Sequence, residues 1–349
     1  MLNTEDLRIR EIRPLITPLD LQKELPADDR VLETVCNARR IIENILKQED
    51  DRLLVIVGPC SVHDPEAALD YARQLADHKE RWKDQLFVVM RVYFEKPRTV
   101  VGWKGLINDP DLNESYQINK GLRIARKLLL DINGLGLPCG TEFLDTTFGQ
   151  FYADLISWGA IGARTAESQI HRELASGLSM PVGIKNRTDG NIQVAVDGIN
   201  AARHKHLFSS LTKEGIPAIY ETTGNDCAHL ILRGGKVTGP NYDKVFIEKA
   251  VSLLKESGLN TRILVDCSHD NSGKDPQQQK TVVTDIIEQL SQGSESIAGV
   301  MLESNIYSGN QSYHDKEGLI YGVSITDACL SLEETLPLLE QLAQSNSSS

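Results

Sequence analysis

No run in this 349-residue chain is apolar over the ~18–20 residues that a membrane-spanning helix needs. The opening Met-Leu-Asn-Thr-Glu-Asp-Leu-Arg mixes acids with bases and lacks the apolar core of a secretory signal. Basic residues are in deficit: 37 Lys plus Arg face 49 Asp plus Glu, giving a net charge of −12 and a pI near 5.2. A nucleic acid or an anionic membrane calls for a basic surface, so neither partner is expected. Low-complexity tracts are missing too, apart from the Ser-Asn-Ser-Ser-Ser end. The six cysteines (Cys36, Cys60, Cys139, Cys227, Cys267, Cys329) form no C-x-x-C pair and no short-spaced framework. In a large chain without a signal they read as reduced thiols, most of them small buried hydrophobes. What remains is a soluble, cytoplasmic protein, 40% hydrophobic and 25% charged, long enough for a large core.

Short apolar, β-branched runs recur along the chain, separated by amphipathic stretches of helical length. The spacing predicts strands at Leu53–Val57, Phe87–Val92, Pro138–Thr141, Ala160–Ala163, Val182–Lys185, His229–Leu232, Ile263–Asp266 and Gly299–Leu302. Between the first two, Asp64-Pro65 reads as an N-cap with Pro at the first helical position, opening a helix over 64–81. Leu122, Ala125, Leu128, Leu129 and Ile132 make a second apolar stripe. A third comprises Phe246, Ala250, Leu253 and Leu254, with Gly258 as its stop, and Asp275-Pro276 opens a fourth helix carrying Val282, Val283, Ile286 and Leu290. Eight strands alternating with helices, in one composition regime, predict an α/β fold: a (β/α)8 barrel over residues 46–345. Residues 1–45 form an N-terminal extension. An insertion over about 206–227, with β-like pieces around Lys213-Glu214-Gly215, reads as a hairpin before strand six.

Barrel enzymes build their sites where the strands run out at one face, because the βα loops converge there. Strand one is followed by Gly58-Pro59-Cys60, and strand two carries Arg91 and then Lys96 and Arg98. Strands three to five lead to Glu142, Arg164 and Lys185; strands six to eight lead to Arg233, His269 and Glu303, with Asp327 entering the last helix. One Arg after a strand is ordinarily a solvated surface charge; eight reactive ends together are not accidental. Six cations (Arg91, Lys96, Arg98, Arg164, Lys185, Arg233) converging on one mouth, in a protein of net charge −12, call for anionic ligands such as phosphates and carboxylates. Six exceed the needs of a single phosphate, so two anionic substrates are expected.

Cys60, His269, Glu303 and Asp327 form a second set, one thiolate, one imidazole and two carboxylates, whose wide separation suits a metal site assembled by tertiary structure. The thiolate argues against Mg²⁺ and the carboxylates admit Mn²⁺, Fe²⁺, Co²⁺ or Zn²⁺. Each alone has a plainer reading, His269 as a hydrogen-bonded structural histidine and Cys60 as a packed thiol. Gly234-Gly235 either lets backbone approach a phosphate or forms a turn. His204 and His206 read as solvated, and Gly134-Leu135-Gly136 follows a helix and is no dinucleotide fingerprint.

Several segments together resemble the class I 3-deoxy-D-arabino-heptulosonate-7-phosphate (DAHP) synthases: Gly58-Pro59-Cys60-Ser61, Lys96-Pro97-Arg98-Thr99, Gly162-Ala163-Arg164-Thr165, Pro181-Val182-Gly183-Ile184-Lys185-Asn186, Leu232-Arg233-Gly234-Gly235, Asp266-Cys267-Ser268-His269 and Ile325-Thr326-Asp327. The likeness covers essentially the whole chain. It implies a (β/α)8 barrel that opens the shikimate pathway by condensing phosphoenolpyruvate with erythrose 4-phosphate, with a divalent metal. By the same resemblance Cys60, His269, Glu303 and Asp327 hold the metal, and Arg91, Lys96, Arg164, Lys185 and Arg233 receive phosphoenolpyruvate. Arg98 and Thr99 hold the aldose phosphate, Glu142 orients water, and Lys96 is the candidate proton donor. One departure is visible: Arg187 stands where the family usually has Gly.

The resemblance also implies that the extension and hairpin form oligomer contacts, in a homodimer or homotetramer, and bind an aromatic amino acid as feedback inhibitor. The matching positions are Glu5, Asp6, Gln150, Leu174, Leu178, Ser179, Phe208 and Ser210. Ser210, where tyrosine-sensitive members tend to have Gly, favours phenylalanine or tryptophan over tyrosine, and Gly149, in place of a Pro common in phenylalanine- and tyrosine-sensitive forms, tilts slightly to tryptophan. The plainer reading is that both additions cover the barrel's base or surface. Two other functions compete. An eight-carbon synthase using a pentose phosphate is disfavoured by the Lys96–Thr99 segment and the added elements, and a catalytically silent amino-acid sensor by the complete metal and cation sets.

Overall fold

A computed structural model describes residues 4–98, 100–313 and 318–346. Its centre is eight parallel strands: Leu53–Gly58, Leu86–Arg91, Cys139–Glu142, Trp158–Ile161, Val182–Lys185, His229–Leu232, Ile263–Asp266 and Ile297–Asn305. Each pairs with the next, and the first also pairs with the eighth (Val55 opposite Val300), so the sheet closes into the expected barrel. All eight strands are almost wholly buried, which is why they read as continuous apolar runs rather than alternating ones.

Three predicted boundaries need correction. Strand four starts at Trp158 and ends at Ile161, two residues earlier than expected. The Trp158 indole fills the barrel interior with Leu54, Ile56 and Val89, and Gly162, just past the strand's end, leaves room for Glu142, whose Oε1 would stand 2.2 Å from a Cβ there. Strand eight runs on to Asn305, so Glu303 lies inside it rather than beyond its end. Asp327 does not enter the last helix, which spans Leu332–Asn346. Ser331 starts that helix with a reciprocal capping box, its Oγ accepting from Glu334 N (3.1 Å) while its N–H donates to Glu334 Oε2 (3.0 Å). Asp327 lies on the loop before it.

The helices follow the expected stripes with small shifts. Asp64 caps Pro65–Lys79, accepting from Glu66 N at 2.9 Å. In Lys244–Glu256 the buried positions are Ile247, Ala250 and Leu254, with Phe246 and Leu253 half-buried, and the fourth helix begins at Gln278, after a turn over 275–277. The insertion is an antiparallel hairpin, Leu207–Leu211 with Pro217–Glu221. Ahead of the barrel stand two helices, Pro18–Glu24 and Asp29–Lys47. The second plugs the barrel's base: its Ile42, Ile45 and Leu46 join Leu54, Trp158, Ile231 and Met301 in one buried cluster. The first is tied to the hairpin tip, Leu19 N donating to Lys213 O at 2.7 Å. No helix among the described residues is long and apolar enough to cross a membrane.

Candidate active site

The C-terminal ends of the strands surround a cavity of about 610 Å³. Its wall includes Cys60, Arg91, Lys96, Arg98, Glu142, Arg164, Lys185, Arg233, His269, Glu303 and Asp327. Thr99 lies outside the described residues; every other residue expected in the metal, substrate or catalytic sets is in this wall.

Ligand atoms of Cys60, Glu303 and Asp327 all lie within 4.8 Å of one another. His269 stands beside this trio rather than inside it, with Nε2 3.8 Å from Glu303 Oε1. Its Nδ1 faces Asp266 Oδ2 (2.9 Å) and Ser268 Oγ (2.7 Å), which fixes the ring and leaves Nε2 toward the carboxylate. His269 holds a left-handed backbone, φ 56°, unfavourable for a residue with a Cβ and kept here by those contacts. Burial, then the nearby Glu303 carboxylate, pushes the Cys60 thiol up, although Lys96 Nζ lies 2.9 Å from its sulfur. Burial opposes a charge on Lys96 as well, yet Cys60 and Asp327 outweigh it and the amine stays protonated. Asp327 is likewise ionised against burial, held down to about 2 chiefly by Lys96 and His269.

Arg91 is fully buried, with Nη2 3.1 Å from Glu303 Oε1. Lys185 Nζ donates to Asp266 Oδ2 at 2.9 Å, and Arg233 pairs with Asp270 while its Nε, also buried, finds no partner among the described residues. Arg98 and Arg164 are exposed at the rim, and among the described residues neither makes an ion pair; the same holds for Lys236 and Lys274 in the wall. Gly234 and Gly235 serve close packing: Cβ atoms there would stand 2.6 Å from Asn271 N and 2.2 Å from Gly190 Cα. Arg187, by contrast, has no positive φ that glycine would relieve, and pairs with Glu167 (2.7 Å) and Asp189 in the loop.

Sequence reasoning missed Asp266, Tyr93, Glu95, Asp270, Lys236 and Lys274. Asp266 had a legible signal, an acid closing the apolar run Ile263–Val265; it is wholly buried and ionised against burial by His269 and Lys185. Glu95 sits in the same run as Lys96, where burial and then Asp145 push its carboxyl up to about 8.

The positions expected around the effector are partly assembled. Phe208 and Ser210 lie two apart on the hairpin's first strand and so share a face. The Phe208 ring tilts against Tyr220 and reaches Gly177, at the end of the helix that carries Leu174. Leu174 is buried, Leu178 half-buried and Ser179 exposed. Gln150 joins the hairpin through its carbonyl, which accepts from Lys213 Nζ at 2.6 Å. Glu5 and Asp6 lie on the exposed stretch before Pro18.

Residues 24–340 match the model of the DAHP synthetase I family. The chain belongs to that family. Its activity is that of a DAHP synthase, on a (β/α)8 barrel. It is 56% identical to the Phe-sensitive phospho-2-dehydro-3-deoxyheptonate aldolase of Escherichia coli K12, covering 97% of this chain and 96% of that one. It is 54% identical to the Trp-sensitive enzyme of Enterobacter agglomerans, covering 99% and 98%. A solved phospho-2-dehydro-3-deoxyheptonate aldolase from Francisella tularensis SCHU S4 superposes with a TM-score of 0.95 at 50% identity, covering 97% and 99%.

Proposed function

We propose that the chain condenses phosphoenolpyruvate with D-erythrose 4-phosphate and water, giving DAHP and inorganic phosphate. One observation carries the reading: a single cavity joins the Cys60–Glu303–Asp327 trio to the six expected cations, of which Arg98 and Arg164 make no ion pair among the described residues. The donor set suits a divalent transition metal, Mn²⁺, Fe²⁺, Co²⁺ or Zn²⁺, held by Cys60, Glu303 and Asp327 with His269 Nε2 beside them. When bound, such an ion supplies Lewis-acid polarisation of the aldose carbonyl.

The protein's own groups do the rest. Arg91, Lys96, Arg164, Lys185 and Arg233 hold the phosphate and carboxylate of phosphoenolpyruvate, and Arg98 with Thr99 holds the aldose phosphate. The cations offset the repulsion between two anionic substrates and fix them as a reactive pair. C3 of phosphoenolpyruvate attacks the aldehyde carbon, and Lys96, protonated in the resting site, gives its proton to the developing alkoxide. Glu142, closing strand three, orients the water that adds at C2 before phosphate leaves, and the arginines stabilise the departing charge.

Control by an aromatic amino acid belongs to the same proposal, supported by the Phe- and Trp-sensitive relatives. Leu174, Leu178, Ser179, Phe208 and Ser210 offer a mixed apolar and polar wall near Gln150, and Glu5 and Asp6 offer carboxylates to an ammonium group. Ser210 favours phenylalanine or tryptophan, and Gly149 tilts slightly to tryptophan. In this reading the extension and hairpin join copies of the chain into a homodimer or homotetramer in the cytoplasm. Phosphate release from both substrates tests the whole, with and without chelator and then with each aromatic amino acid. Metal-dependent release, suppressed by phenylalanine or tryptophan at millimolar levels, is expected. No release with both substrates and metal overturns the activity, equal turnover of a pentose phosphate points to the eight-carbon synthase, and a flat response to all three amino acids removes the regulatory role.

A further inference from the structure

Tyr93 stands two residues past Arg91, beyond the end of strand two, with the Arg91 guanidinium over its ring at 4.0 Å from the centroid. The residue is 5% exposed and belongs to the cavity wall. Its backbone is fixed, the carbonyl accepting from Val62 N at 2.9 Å. Its hydroxyl, however, is buried and has no hydrogen-bond partner among the described residues. A phenol taken out of water without a partner costs free energy that phenylalanine, filling the same volume, would not. Tyrosine at this position therefore calls for a partner outside the chain.

The surroundings define that partner. Burial raises the phenol above its ordinary range, and the charged groups acting on it besides Arg91 are the carboxylates of Glu142, Asp266 and Glu303. The hydroxyl accordingly keeps its proton and acts as a donor, so its partner is an acceptor. Both substrates offer anionic oxygens, but their cations differ in depth: Arg98, for the aldose phosphate, is exposed at the rim, whereas Arg91, stacked on the Tyr93 ring, is fully buried. We infer that Tyr93 Oη donates a hydrogen bond to an anionic oxygen of bound phosphoenolpyruvate, making it a substrate-positioning group that phenylalanine cannot replace. The inference rests on the assignment of phosphoenolpyruvate to this cavity.

The test is Tyr93→Phe in the full-length, metal-loaded chain, with phosphoenolpyruvate binding measured by calorimetry beside the wild type. A lost hydrogen bond to a charged acceptor weakens binding by roughly tenfold or more. The KM for the aldose should stay within about twofold, and the Tm without substrates should equal or exceed that of the wild type, since no protein contact is lost. A phosphoenolpyruvate Kd within about twofold of wild type overturns the inference, as does a lowered Tm with unchanged binding, the signature of a hydroxyl satisfied within the fold. If the wild type itself does not bind phosphoenolpyruvate, the assigned function fails, and that result is distinct from either.

Discussion

At the base of the barrel, Ile42, Ile45 and Leu46 of the Asp29–Lys47 helix pack onto Leu54, Val89 and Trp158, while a few residues along, the same sheet ends in Arg91, Glu142 and Lys185. Both ends are buried, yet they handle polarity in opposite ways. At the base, the central polar pair is satisfied within the protein: Trp158 Nε1 donates to His229 Nε2 at 3.2 Å, and the other ring nitrogen faces Cys227 O at 3.0 Å, although Ser157 Oγ and Arg262 Nε at the strand starts have no partner among the described residues. At the mouth, Arg233 Nε and Tyr93 Oη are buried without partners and several cations stand unpaired among the described residues. A satisfied polar group serves the fold, whereas an unpartnered one points to a ligand where, as with Tyr93 and Arg233 at the mouth, it lines a cavity. Substitutions at the base should therefore read out in stability, and those at the mouth in binding and turnover.

The largest expected effect tests the mouth. His269→Ala removes the imidazole beside the Cys60–Glu303–Asp327 trio. Activity should fall by roughly a thousandfold, the scale of several kcal/mol of metal-dependent stabilisation. Affinity for Co²⁺, followed by its absorption spectrum, should fall in parallel. His269→Gly should lose as much activity but be the more stable variant, by about 1 kcal/mol, because glycine accepts φ 56° without strain. Near-wild-type turnover and Co²⁺ binding in His269→Ala would place the imidazole in a purely structural role.

The next effect tests the base. Burial holds His229 down to about 4, with the Cys227 carbonyl only partly opposing it. The unfolded chain takes up a proton near 6.5, while the folded chain stays neutral until about 4, so stability is full above pH 6.5 and is lost as pH falls through that window. The loss amounts to roughly 3 kcal/mol. Urea unfolding between pH 7 and 4 should show it in the wild type and not in His229→Phe, whose ring cannot charge. An equal slope in both would assign the acid sensitivity to other groups.

The same contrast explains what could be read in advance. All eight strands were legible to within a few residues because they are apolar and buried on both faces. Trp158-Gly159 hid the start of the fourth, since an indole inside the barrel and a glycine lack the β-branched signature. The catalytic mouth was legible because charge at the end of an apolar run is conspicuous. Asp266 and Tyr93 were not singled out, because their importance lies in what they touch: Lys185 and His269 for one, the Arg91 guanidinium for the other. The base plug stood only as the plainer reading of the extension, although Val31, Val35, Ala38, Ile42 and Ile45 recur at helical spacing ahead of the first strand.

The smallest effect concerns a residue close to the mouth in sequence but outside the cavity wall. Arg187 follows Lys185 by two positions, yet its side chain turns to Glu167 and Asp189 rather than to the substrate cations. Its backbone N–H donates to Asn191 O at 3.1 Å, a bond that glycine preserves. Arg187→Gly should therefore leave kcat and both KM values within about twofold of wild type, as expected for a surface change away from the reacting groups. Stability should fall slightly through two separable causes. Lost ion pairing is screened by salt, so that part of the Tm difference should vanish near about 1 M, where the Debye length is about 3 Å. The added freedom of glycine in the unfolded chain does not depend on salt, so a small residual difference should persist. A Tm difference that vanished at high salt would mean that Arg187 acts through charge alone. A changed phosphoenolpyruvate KM would mean instead that the loop after strand five transmits its conformation to Lys185, and the mouth would then extend further from the cavity than the contacts of Arg187 indicate.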